Sequence, residues 1–104
     1  MDSNIKLKKI GSLKAVKNYM VVDKKGDINF SNFPHPDNIA FMILNCSKNM
    51  EIKGHSNVQY QFFAFGDDHF LIFPVGNQYL GVVKNRGTST SVLAKSILKF
   101  LDSQ

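Results

Sequence analysis

The stretch VQYQFFAFGDDHFLIFPVGNQYLGVVKNRG, residues 58–87, decides the fold. Three runs rich in aromatic and β-branched residues, 58–65, 69–75 and 78–84, are separated by Gly66-Asp67-Asp68 and Gly76-Asn77 and closed by Asn85-Arg86-Gly87. Turn signals at about ten-residue spacing between such runs predict an antiparallel meander. Pro74 has no N–H for a ladder and therefore belongs at a strand end or a bulge. Downstream, Thr88-Ser89-Thr90-Ser91 supplies N-cap candidates for a last helix, on which Val92, Leu93, Ile97, Phe100 and Leu101 recur on one side.

Upstream of the meander, residues 39–52 form the longest periodic segment in the middle of the chain. Pro36-Asp37-Asn38 can open a helix there and Gly54 can end it. Earlier still, residues 14–23 read as a strand, Lys24-Lys25-Gly26-Asp27 as a turn, and Ile28-Asn29-Phe30 as the return strand of a hairpin. Residues 3–13, with Ile5, Ile10 and Leu13 among lysines, read as a short, weakly amphipathic helix ended by Gly11-Ser12. The order α-β-β-α-β-β-β-α predicts an α+β layer architecture. No repeat or linker divides the chain, so residues 1–104 are expected to form one domain.

Composition narrows the setting. Hydrophobic residues make up 43% and charged residues 20%, which is globular rather than disordered. A lone Cys46 cannot form an internal disulfide, and residues 1–6 contain no apolar h-region. The longest apolar run, residues 39–44, is far below the roughly 18 residues needed to span a bilayer. A cytoplasmic protein with no membrane span is expected. Net charge is +5, with Lys6, Lys8, Lys9, Lys14, Lys17, Lys24 and Lys25 concentrated early and Arg86 the only arginine. Bidentate phosphate and base recognition favours arginine, so the lysines read as a solvated face and nucleic acid is not the expected partner.

The middle helix carries the most functional information. Ile39, Met42, Ile43, Cys46 and Met50 form one apolar stripe, while Ala40, Phe41 and Leu44 fall on another face. A helix over a single sheet needs only one stripe. Leaving Phe41 and Leu44 in water forgoes roughly 1.5–3 kcal/mol each, so a partner is expected to cover them. Residues 58–65 carry no charge at all, and as an edge strand they would lack the lysines that usually blunt edge-to-edge pairing. Phe41, Leu44, Val58, Tyr60 and Phe62 are the expected self-association residues.

The segment order, the hairpin Val21-Val22-Asp23-Lys24-Lys25-Gly26-Asp27-Ile28, the long middle helix and the meander closing with Tyr79-Leu80-Gly81-Val82-Val83 resemble the roadblock / dynein light chain family over roughly residues 14–102. The resemblance implies a five-stranded antiparallel sheet with the middle helix on one face and the terminal helices on the other. It also implies a homodimer in which third strands pair edge to edge and middle helices pack together. Members of that family act as partners or regulators of small Ras-like GTPases, or as scaffolds on larger complexes. The chain departs from the family at its N-terminus, where the first helix is short and lysine-rich.

No catalytic apparatus emerges. Cys46 on a helix reads as a small inert hydrophobe. His35, His55 and His69 lack the short spacings of zinc sites, and Asp67-Asp68-His69 reads as a hairpin tip. Neither a phosphate-cradling GxxxxGK[ST] nor a dinucleotide fingerprint occurs. No metal or cofactor is expected, and the chain is read as a non-enzymatic adaptor. The alternative of a different class is a small-molecule sensory domain of PAS or profilin-like type, with the strand aromatics lining a pocket.

Overall fold

The computed structural model describes residues 9–52 and 60–102. Five strands form one antiparallel sheet: β1 (Val16–Asp23), β2 (Ile28–Ser31), β3 (Gln61–Phe65), β4 (Asp68–Val75) and β5 (Gln78–Lys84). Helix α1 spans Pro36–Ile52 between β2 and β3, and α2 spans Thr90–Asp102 after β5. The strand order is β2-β1-β5-β4-β3, so β3 lies at one edge and β2 at the other. The expected α+β architecture, five antiparallel strands with helical layers on both faces, is the one observed.

Turn chemistry fixes the register of the meander. Phe65 pairs with Asp68 and Val75 with Gln78, leaving the two-residue loops Gly66-Asp67 and Gly76-Asn77. Gly66 and Gly76 adopt φ of 62° and 59°, and the residues after them are not left-handed. This is the glycine-first loop whose twist matches that of the strands it joins. Pro74 pairs with Tyr79, one step from the loop. Its missing N–H would point toward the β3 side, beyond the Gln61–Ile72 pair at which β3 begins.

Asp23 organises the β1–β2 hairpin. Its carboxylate accepts hydrogen bonds from the backbone N–H groups of Lys25 at 2.9 Å and Asp27 at 3.0 Å. Its backbone N–H donates to the Asp27 carbonyl at 2.9 Å, closing a loop in which Gly26 takes φ 100°.

Each sheet face has its own core. On one, Met20, Val22, Ile72 and Tyr79 pack with Ala40 and Ile43 of α1. On the other, Val21, Leu71, Phe73, Leu80 and Val82 pack with Leu93, Ala94 and Ile97 of α2 and with Ile10. Gly81, in β5, lets α1 approach closely, because a Cβ there would overlap Ile43.

Several expectations are corrected. The described part of the first predicted helix is a 3-10 turn, Lys9–Ser12, closed by Leu13 N–H to the Ile10 carbonyl at 3.1 Å; residues 3–8 lie outside the described residues. β3 begins at Gln61, with Tyr60 outside the strand and 58–59 outside the described residues. The Gly54 stop also lies outside them. The inward side of α1 is Ala40, Ile43 and Ser47, at i, i+3 and i+7, so Ala40 belongs to the packed side and not to a second face. On α2, Val92 is 58% exposed, and Ala94 takes the core position beside Leu93.

Candidate interaction surface

β3 has β4 as its single neighbour, so the other side of its backbone is an unpaired sheet edge among the described residues. Its sequence, Gln61-Phe62-Phe63-Ala64-Phe65, contains no charge that would discourage a second strand from adding there. Alternation along β3 directs its residues to opposite faces. Phe63 joins the α1 side, stacked on Phe70 at a centroid distance of 5.2 Å, and Phe70 is itself stacked on Phe33 at 6.3 Å. Phe62 lies on the α2 side, opposite Leu71, 45% exposed and edge-on to His69 at 5.4 Å.

Among the described residues Phe41 is the most exposed large apolar side chain, at 69%. Helical geometry puts it about 100° from the buried Ala40. The half-buried Met42 follows about 100° farther around α1. Leu44 is half-buried against the α1-side core, its Cδ1 3.3 Å from where a Gly26 Cβ would stand, so the β1–β2 loop partly shelters it. Tyr60 is half-buried and stacks on Phe73 at 5.5 Å. Of the expected self-association residues, Phe41 and Phe62 are the exposed pair, Leu44 and Tyr60 are partly taken up by the two cores, and Val58 lies outside the described residues.

Cys46 is half-buried on α1, and burial raises its thiol above the ordinary value, which disfavours the nucleophilic thiolate. Among the described residues no group of three or more His, Cys, Asp or Glu side chains is placed to hold a metal ion. No described helix is long and apolar enough to cross a membrane. The aromatics that a sensory pocket would require are engaged in packing: Tyr60 on Phe73, and Phe63 and Phe33 on Phe70.

Sequence reasoning missed a polar cleft of about 440 Å³ at the end of the sheet, lined by Lys14, Lys17, Asp67, Asp68, Lys84, Asn85, Arg86 and Thr88. The available signal was the run of charges flanking the meander turns, but only the strand pairing brings those turns beside the start of β1.

No protein-family model matches the sequence, and no curated protein matches it. Solved structures do match. MglB of Myxococcus xanthus superposes with a TM-score of 0.74 at 20% identity, covering 98% of this chain and 90% of that one. A Roadblock/LC7 domain from Streptomyces avermitilis gives 0.69 at 13% identity, covering 90% and 86%. LokiProfilin1, solved in complex with rabbit actin, gives 0.66 at 12% identity, covering 98% and 93%. The chain has a roadblock-like fold.

Proposed function

We propose that the chain acts as one roadblock-like domain that pairs with a second copy of itself and serves as a non-enzymatic adaptor or regulator for a small Ras-like GTPase. The carrying observation is the unpaired, charge-free edge of β3, which lies in the same molecule as a solvent-facing Phe41. An exposed ring of this size is the kind of residue that anchors interfaces. Likeness to MglB and to a Roadblock/LC7 domain supports the reading, and one solved MglB has a tetrameric arrangement. The profilin likeness shows why fold alone does not choose the partner, since a profilin of the same architecture was solved on actin. The adaptor reading leaves Cys46, the histidines and the polar cleft without a catalytic role, and places the protein in the cytoplasm.

Sedimentation velocity across a concentration series tests the first step. A dimer is expected at micromolar protein, and Phe41→Glu is expected to shift the distribution to monomer while the circular dichroism spectrum is retained. A wild-type monomer at high micromolar concentration overturns the reading. Single-turnover GTP hydrolysis by a purified Ras-like GTPase from the native host, with and without the chain, then separates stimulation from docking.

A further inference from the structure

The polar cleft of about 440 Å³ opens where β1 and β4 begin and β5 ends. Four cations reach it from separate parts of the chain: Lys14 before β1, Lys17 within it, Lys84 at the end of β5, and Arg86 just after. Two carboxylates, Asp67 of the β3–β4 turn and Asp68 of β4, complete the charged lining. The two strand ends are clamped together, since Asn85 donates its backbone N–H to the Ala15 carbonyl at 2.7 Å and its side-chain N–H to the Lys14 carbonyl at 2.5 Å. The cations therefore project from a fixed frame. Lys17 meets Asp68 at 3.4 Å, but both side chains are about half exposed, and such pairs exchange readily for a better counter-charge.

We propose that this cleft docks a net-acidic segment of a partner protein that also carries a basic side chain. Four cations against two carboxylates set the preference for negative charge. The carboxylates decide between macromolecular classes. A phosphate backbone is uniformly anionic and would meet Asp67 and Asp68 unfavourably, whereas a peptide can offer carboxylates to Lys14, Lys84 and Arg86 and a cation to Asp67. The lining also has no aromatic ring for a base to stack on and a single arginine. The proposal goes beyond the adaptor reading and does not rest on it, because neither Phe41 nor the β3 strand lines the cleft.

Fluorescence anisotropy at low salt tests it, with a labelled nonapeptide of eight glutamates around one central lysine as probe. Saturable binding is expected, weakened about tenfold or more in Lys14→Glu/Arg86→Glu. The control is Lys95→Glu/Lys99→Glu on the exposed side of α2, which changes net charge equally and should alter affinity less than about twofold. Replacing the central lysine of the peptide by glutamate should weaken binding to the wild-type chain. Thermal melts establish that each variant is folded, and Lys14→Gln/Arg86→Gln supplies the same comparison if charge reversal unfolds the protein. Four results overturn the proposal: no saturable binding of the peptide, equal losses in the cleft and control variants, undiminished binding of the all-glutamate peptide, or tighter binding of a thymidine oligonucleotide of matched charge.

Discussion

Replacing Gly81 with alanine tests whether α1 is seated on the sheet by a missing side chain. Gly81 pairs with Met20 of β1 and Ile72 of β4, directly beneath the helix. A Cβ there overlaps Ile43 Cδ1 and stands 3.2 Å from Cγ1. Ile43 is fully buried, with Met20, Val22, Ala40, Ile72 and Tyr79 in the same cluster, so the displaced methyl has little room to move. Relieving the overlap requires an off-rotamer Ile43 or a lifted helix, and overpacking of this kind costs about 1–3 kcal/mol. Alanine returns roughly 0.5–1 kcal/mol over glycine in a strand. The expected net loss for G81A is about 1–2 kcal/mol.

Ile43→Val removes the offending carbon. Alone it should cost about 0.5–1.5 kcal/mol, because it deletes a buried methyl. Combined with G81A it should restore the fit, leaving the double variant no less stable than I43V by itself. The implied coupling of about 1–2 kcal/mol lies well outside the window of about 0.3–0.5 kcal/mol within which independent sites add. Urea midpoints at one fixed protein concentration give the comparison, since the proposed self-association would add a concentration-dependent increment. A double variant destabilised by the sum of the two singles would refute the reasoning.

Asp23→Ala should lower stability by about 1 kcal/mol, because the N–H groups of Lys25 and Asp27 lose their carboxylate acceptor; a urea midpoint unchanged from wild type contradicts this. Burial raises the Cys46 thiol above 9.0. With the folded value above the unfolded one, its stabilising contribution is fully present below about pH 9 and is lost as pH rises through the folded value. Cys46→Ala should therefore flatten the fall in urea midpoint above roughly pH 9, and parallel curves for variant and wild type contradict the assignment. Phe62→Glu should weaken self-association by about tenfold or more, since a charge replaces a ring at the β3 edge, and an unchanged dimer dissociation constant by sedimentation contradicts it.

The meander and its loops were legible because glycine, aspartate and asparagine mark turns through a local conformational requirement. Gly66 and Gly76 stand at their positive-φ positions whatever surrounds them. Helix facing was less legible, and for one reason at both helices. The residues that let a helix come close to a sheet are small. Ala40 and Ser47 flank Ile43 on the inward side of α1, and Ala94 takes the place beside Leu93 that a reading by apolar size gives to Val92. Hydropathy ranks large side chains first, whereas close approach selects small ones, so the inferred stripes are rotated from the true contact line. The sheltering of Leu44 by the β1–β2 loop depends on tertiary proximity that no local pattern carries.

This rotation bears on the self-association reading. Phe41 lies in the α1 layer and Phe62 on the opposite face of the sheet, so stacking one sheet face of each copy on the other could cover only one of them. Antiparallel pairing of two β3 edges has its two-fold axis perpendicular to the sheet. That axis keeps like faces together, bringing both copies of α1 to one side of the joined sheet and both Phe62 rings to the other. It also satisfies the open backbone edge, which an unpaired strand leaves to water. Edge pairing therefore draws on the charge-free strand and on the exposed Phe62, whereas Phe41 shares its flank of α1 with Leu44, which turns toward the β1–β2 loop and away from the β3 edge. Sensitivity of the proposed dimer to Phe62→Glu is the pattern that this geometry requires, and sensitivity to Phe41→Glu alone points to face packing instead.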